Sequence, residues 1–152
     1  MIRINYPPYE PKIKKSQEKE FIFDVMRKRW VALTPEEWVR QQFLNYLTGV
    51  MNYPQALIAV ERAFNLGELK KRFDIVIYDR DLQPWMLIEC KEMQTALDKN
   101  ALDQVLRYHI ILRVPYIVIT NGRNCFGFSN QNGQVMELSD LPPFGASLTG
   151  GG

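Results

Sequence analysis

Arg72-Phe-Asp-Ile-Val-Ile-Tyr-Asp79 and Trp85-Met-Leu-Ile-Glu-Cys-Lys91 decide how the chain reads. Both are apolar runs of strand length. Arg80-Asp-Leu-Gln-Pro84 between them is a polar turn, and its proline cannot donate to a central ladder. The pair predicts an antiparallel hairpin. Three charges interrupt it: Asp74, Glu89 and Lys91. Side chains alternate along a strand, so Glu89 and Lys91 share a face with Leu87. Burying a carboxylate or an ammonium is costly unless it is paired or metal-bound. That cost marks a candidate site.

Upstream, Ala56 to Phe64 reads as a strand interrupted by Glu61 and Arg62, and Asn65-Leu-Gly-Glu68 as a turn. Lys70-Lys-Arg72 brings a basic cluster to the strand that carries Asp74. Three strands thus follow one another as a meander. Before them, Thr34-Pro-Glu-Glu37 opens a helix that runs to about Val50. Thr34 suits the N-cap, Pro35 the first turn, and Glu37 a capping box. Val39, Phe43, Tyr46, Leu47 and Val50 form its apolar face, with Glu36 near the middle of that stripe. Glu36 either reaches the sheet edge or pairs with Arg40 four residues on.

Downstream, Thr95 to Arg113 reads as an amphipathic helix that Pro115 ends. Tyr116-Ile-Val-Ile-Thr120 is an apolar strand, Cys125 to Phe128 a shorter one, and Asn130-Gln-Asn-Gly133 a turn into Val135-Met136. Residues 1–17 read as an extended basic arm carrying Lys12, Lys14 and Lys15. Phe21–Met26 and Trp30–Leu33 suggest a short strand pair around Arg27-Lys-Arg29. Residues 145–152 read as a flexible, glycine-rich tail. The whole predicts an α/β fold (α+β, mixed sheet): one domain over 1–144, core about 34–128, with a three-strand meander, a crossover helix and further strands.

At 152 residues the chain can bury a sizeable core. A net charge of +2 is too small to argue nucleic-acid binding by itself. Two cysteines and one histidine, with no Cys-x-x-Cys, argue against a cysteine–histidine metal site. They fit reduced, buried thiols in a cytoplasmic protein. No apolar run reaches membrane-spanning length, no signal-peptide core opens the sequence, and no phosphate-loop motif is present.

Asp74, fourteen intervening residues, then Glu89-Cys-Lys91 resembles the Asp…(Asp/Glu)-x-Lys signature of the PD-(D/E)xK nuclease superfamily. The element order is similar to that superfamily's αβββαβ restriction-endonuclease-like core. Pro35-Glu-Glu-x-Val-Arg40, Arg72-x-Asp74, Ile88-Glu-Cys-Lys91, Gln104-x-x-Arg-Tyr108 and Thr120-Asn-Gly122 resemble the N-terminal nuclease domain family of type I restriction enzyme motor subunits. Phe73 stands where the signature often has proline, and the motor that usually accompanies such a domain is absent from this sequence.

The resemblance implies a Mg²⁺-dependent DNA endonuclease, with Mn²⁺ able to substitute. Asp74, Glu89, the Cys90 carbonyl and Glu36 are the implied metal ligands. Lys91 would stabilise the attacking water or the transition state, and Gln104 would orient Lys91 or touch the scissile phosphate. Tyr108 would support Gln104 and, with Lys70, Lys71 and Arg72, contact the nucleic acid. DNA is the implied partner; a motor or specificity subunit in trans and a homodimer are compatible with it, a membrane is not. The competing readings are a catalytically silent DNA- or partner-binding module of the same fold, and a plain cross-strand charge cluster.

Overall fold

The computed structural model describes residues 1–66 and 68–146, without the side chains of Leu66, Leu69 and Tyr108. Nine strands and two helices are built there: β1 Ile13–Ser16, β2 Lys19–Asp24, β3 Arg29–Ala32, α1 Pro35–Gly49, β4 Ile58–Leu66, β5 Leu69–Tyr78, β6 Pro84–Cys90, α2 Lys99–Ile111, β7 Tyr116–Thr120, β8 Cys125–Gln131 and β9 Gln134–Leu138. β1–β3 form a small antiparallel sheet, and β4 to β9 a six-stranded sheet in chain order. Every pair in the larger sheet is antiparallel except β6–β7. That parallel pair needs a crossover, which α2 provides. The expected α/β mixed sheet of αβββαβ order, restriction-endonuclease-like, is therefore observed from α1 to β7.

The sheet separates two cores. Met86, Ile88 and Cys90 of β6 pack with Val39, Phe43 and Leu47 of α1. Leu87 packs on the other side with Phe73, Val76 and Val114. Face alternation resets beside Asp74. Ile75 and Ile77 lie on the α1 side, yet Phe73, of the same parity, lies on the α2 side. In β4, Val60 and Phe64 divide in the same way. Register is unchanged across the reset, with Val60 opposite Ile75 and Arg62 opposite Phe73. Glu61, between those pairs, has φ 55°, a left-handed conformation that costs a non-glycine residue about 1–3 kcal/mol.

Several local expectations need correction. Residues 1–17 are not a free arm. Ile2 is buried and bridges to Cys125, and Ile13–Ser16 pairs with β2. A Cβ on Gly127 would come within 2.6 Å of Ile2 Cδ1, so the glycine leaves room for that side chain. α2 begins at Lys99 rather than Thr95, because Asp98 caps it by accepting from the Ala101 N–H at 2.9 Å. Val50 is exposed, just past the end of α1. The first residues of the expected tail are anchored: Ala146 packs against the main core, and its carbonyl accepts from Trp85 Nε1 at 3.1 Å. The rest of that tail, 147–152, lies outside the described residues.

Glu37 makes only half of the expected capping box. Its N–H donates to Thr34 Oγ1 at 3.0 Å. Its carboxylate accepts from Arg27 Nη2 at 2.7 Å, Arg40 Nε at 2.9 Å and Gln41 Nε2 at 3.1 Å. The two guanidinium groups outbid the backbone because charge-assisted bonds are stronger than neutral ones.

Candidate active site

Asp74 stands at the face reset on β5, and Glu89 stands beside it near the end of β6. Extending the Ile75–Ile88 pairing by one step places the two carboxylates opposite each other. Asp74 Oδ2 accepts from the Cys90 N–H at 2.7 Å, and Asp74 Oδ1 lies 3.5 Å from Arg40 Nη1. Glu89 is 6% exposed, and its Oε1 is buried with no hydrogen-bond partner among the described residues. Burial first, and the neighbouring Asp74 second, push its carboxyl up to about 8. Glu89 therefore resists ionising near neutral pH.

Lys91 follows β6, and its N–H donates to the Thr120 carbonyl at 2.8 Å. That bond continues the β6–β7 ladder and holds Lys91 over the same face as Glu89. The two line a cavity of about 370 Å³ together with Lys71, Thr95, Gln104 and His109. Gln104 reaches it from α2, so helix and sheet converge on one opening. The basic cluster on β5 divides: Lys71 lines the cavity, while its neighbours Lys70 and Arg72 are exposed. Lys70 and Arg72 alternate with Lys71 along the strand, so they cannot share its face. The Tyr108 side chain lies outside the described residues.

Glu36 lies at the exposed start of α1 rather than in the cavity. Partial burial, then the charge of Asp74, raises its pKa, and Lys91 opposes the shift. Glu36 therefore senses the site; of its two alternatives, the ion pair with Arg40 is not formed, because Arg40 pairs with Glu37, Glu61 and Asp74. Among the described residues no group of three or more His, Cys, Asp or Glu side chains converges as a metal cluster. The donors the fold brings together are two carboxylates, Asp74 and Glu89.

Three residues outside the expected metal and catalytic set stand at or beside the site. Arg40 is the cation beside Asp74. Glu61 holds Arg40 at 3.4 Å and Arg27 at 3.3 Å. His109 is buried edge-on to Phe73, 4.8 Å between ring centres, with Nδ1 2.6 Å from the Val105 carbonyl. That carbonyl can only accept, so Nδ1 carries the proton and Nε2 is left as an acceptor. Burial drives the His109 pKa down to about 4, which makes it a neutral packing residue. A carboxylate inside the apolar β4 was the one available sign for Glu61.

The Thr120-Asn-Gly122 turn supports this arrangement. Asn121 Nδ2 donates to the Thr95 carbonyl at 2.8 Å, tying the approach to α2 to the end of β7. Gly122 has φ +88°, and an added Cβ would lie 3.2 Å from Met93 Cε and 3.3 Å from Val39 Cγ2. Gly122→Ala is expected to lower stability by about 1–3 kcal/mol through the left-handed backbone. Urea unfolding checks this: the midpoint should fall with an unchanged m value.

The family of the type I restriction enzyme R protein N terminus matches residues 35–142, most of the chain. The chain belongs to that family. The matched segment runs from the first residue of α1 past β9 and contains Glu36, Asp74, Glu89, Lys91 and Gln104. No curated protein matches the sequence significantly. No helix among the described residues is long and apolar enough to cross a membrane.

Proposed function

We propose that the chain is a metal-dependent DNA endonuclease of the PD-(D/E)xK type, with its active site at Asp74, Glu89 and Lys91. The observation that carries this reading is the buried Glu89 beside Asp74, with one carboxylate oxygen unpartnered. Such a pair is unfavourable in the protein alone, and a divalent cation between the carboxylates would relieve it. The donors are hard oxygens, which fits Mg²⁺, with Mn²⁺ able to replace it. Two carboxylates leave the remaining positions to water, to backbone oxygen such as the Cys90 carbonyl, and to the phosphate. Glu36 would act through water. When bound, the ion supplies the positive charge that activates water and offsets charge developing on the phosphate.

The protein's own groups supply the rest. Lys91 presents an ammonium on the Glu89 face, where it can hold the attacking water or a non-bridging phosphate oxygen. Gln104 can donate to the phosphate or orient Lys91 from the opposite wall. Lys71 adds positive charge inside the cavity, and Lys70 and Arg72 outside it, along the path of a phosphate backbone. Membership in a restriction-enzyme family supports DNA as the substrate, and a motor or specificity subunit as a partner in trans.

The test is cleavage of supercoiled plasmid in Mg²⁺, Mn²⁺ or EDTA by the wild type and Lys91→Ala. Metal-dependent nicking that falls about 10²- to 10³-fold in Lys91→Ala is expected. Equal cleavage by the two proteins would place the activity elsewhere. No cleavage with either metal would favour a silent module of the same fold.

A further inference from the structure

We infer that the outward face of the β1–β3 sheet is a second nucleic-acid contact, one that takes a single strand with unpaired bases. This sheet lies outside the segment shared with the family, which begins at residue 35. The inference does not require hydrolysis at Asp74 and Glu89.

Burial along β2 fixes which way the sheet faces. Ile22 and Asp24 are fully buried, so Phe21 and Phe23, which alternate with them, point outward. Pairing then completes the outer face. Lys14 lies opposite Phe21, Phe23 opposite Trp30, and Ser16 opposite Lys19. Lys12 lines up with Phe23, whose N–H donates to the Lys12 carbonyl at 2.9 Å. The side chains touch as that register requires. Phe23 and Trp30 stack edge-on at 5.4 Å, Lys14 Nζ sits 4.5 Å from the Trp30 ring centre, and Lys12 Nζ 5.9 Å from that of Phe23.

The charge on this face is one-sided. Lys12, Lys14 and Lys19 lie on the outer face, while Lys15 and Arg29 pair opposite Glu20 and Asp24 on the inner one. Glu20 and Asp24 belong to the inner face, leaving no strand carboxylate among the outward aromatics. Asp24 is also neutralised by Arg27. Beside the sheet, Tyr9, Glu10, Lys12, Phe23 and Asn45 line a cavity of about 360 Å³. Its aromatic walls offer stacking, and its amide and carboxylate can hydrogen-bond base edges.

This combination selects its occupant. Lysines attract any phosphate backbone, but exposed aromatic rings gain by stacking only on bases that are not already paired and stacked. A duplex would use the lysines alone. An acidic protein or membrane surface would also use the charge, and would leave Trp30 without a stacking partner.

The test uses the full chain in EDTA, so hydrolysis plays no part. A fluorescein-labelled 20-nucleotide oligo-dT strand and a duplex of the same length are titrated while indole fluorescence is followed. The single strand is expected to bind more tightly and to quench fluorescence. Trp30→Ala should weaken single-strand binding roughly tenfold and bring it toward the duplex value. Lys12→Ala/Lys14→Ala should weaken both and reduce the salt slope of the single strand by about 1.4, at about 0.7 per phosphate contact. These side chains lie outside both main cores, and circular dichroism confirms that each variant is folded. Equal affinity for duplex and single strand with no Trp30→Ala effect would overturn the inference, as would no binding at low salt. Plasmid cleavage in Mg²⁺ by the same preparations reports on the Asp74–Glu89 site separately.

Discussion

Glu89→Gln is expected to make the metal-free protein more stable at pH 8 while removing metal-dependent cleavage, by about 10²- to 10³-fold or more. The two effects share one cause. Glu89 is buried against Asp74, and its carboxyl titrates near 8 in the folded state against 4.5 ordinarily. Between those values the folded chain holds a proton that the unfolded chain has released. Stability therefore falls as pH rises through this interval and is greatest, for this group, below about 4.5. Glutamine stays neutral throughout. Its amide can donate toward Asp74, so the variant keeps the favourable hydrogen-bonding state and loses the electrostatic penalty. Thermal unfolding in EDTA from pH 5 to pH 8.5 measures this. Wild type should lose stability toward pH 8.5, by an amount on the order of a few kcal/mol, and Glu89→Gln should lose much less. A wild type as stable at pH 8.5 as at pH 5 would show that Glu89 is not held in the protonated form. Full cleavage by Glu89→Gln would remove it from the active site.

A buried carboxylate that is awkward for folding is also what made the candidate site readable. Asp74, Glu89 and Lys91 stand out because they break apolar strands, and a charge inside such a run needs a reason. The hairpin, the parallel return of β7 and α1 were readable for the same class of reason: apolar period, cap residue and turn chemistry agree there. Agreement fails where a local signal competes with a distant partner. Thr34-x-x-Glu37 is a sound capping box in isolation, but Arg27 and Arg40 take the carboxylate. Thr95 can begin a helix, but Asp98 caps one better. The basic residues of 1–17 suggest a solvated arm, and only the pairing of β1 with β2 shows that they edge a sheet. The reset of face alternation at Glu61 and Asp74 leaves no trace in a period-two pattern, because it is set by two strands together.

Arg40→Ala is expected to destabilise the protein by about 3–5 kcal/mol, the usual consequence of removing one partner from a buried ion pair. Arg40 is 6% exposed and Glu37 is 4% exposed, so solvent does little to screen their contact. Arg40 Nη2 donates to Glu37 Oε1 at 2.8 Å and Arg40 Nε to Glu37 Oε2 at 2.9 Å, a two-pronged grip that a lysine cannot reproduce. The same guanidinium reaches Glu61 and Asp74, so its loss leaves acidic groups from α1, β4 and β5 undercompensated. At about 2–4 °C per kcal/mol for a chain of this size, the melting temperature should drop by roughly 10 °C or more. The double variant Arg40→Ala/Glu37→Gln should lose less than the sum of its single variants, since the second change removes the stranded charge. Strict additivity would mean that the pair is not coupled. pH gives an independent check. Burial alone would raise the Glu37 pKa, but hydrogen bonds and charge from Arg40, followed by Gln41 and Arg27, hold it below its usual value. Its contribution is therefore complete above about pH 4.5 and is lost as pH falls through the lower folded-state value. Arg40→Ala should flatten that acid-side slope. Glu89→Gln should act on the alkaline side, where Glu89 ionises. Opposite pH dependences would separate the two roles: Arg40 holds the acidic groups in place, and Glu89 carries a charge that Lys71 and Lys91 offset only in part.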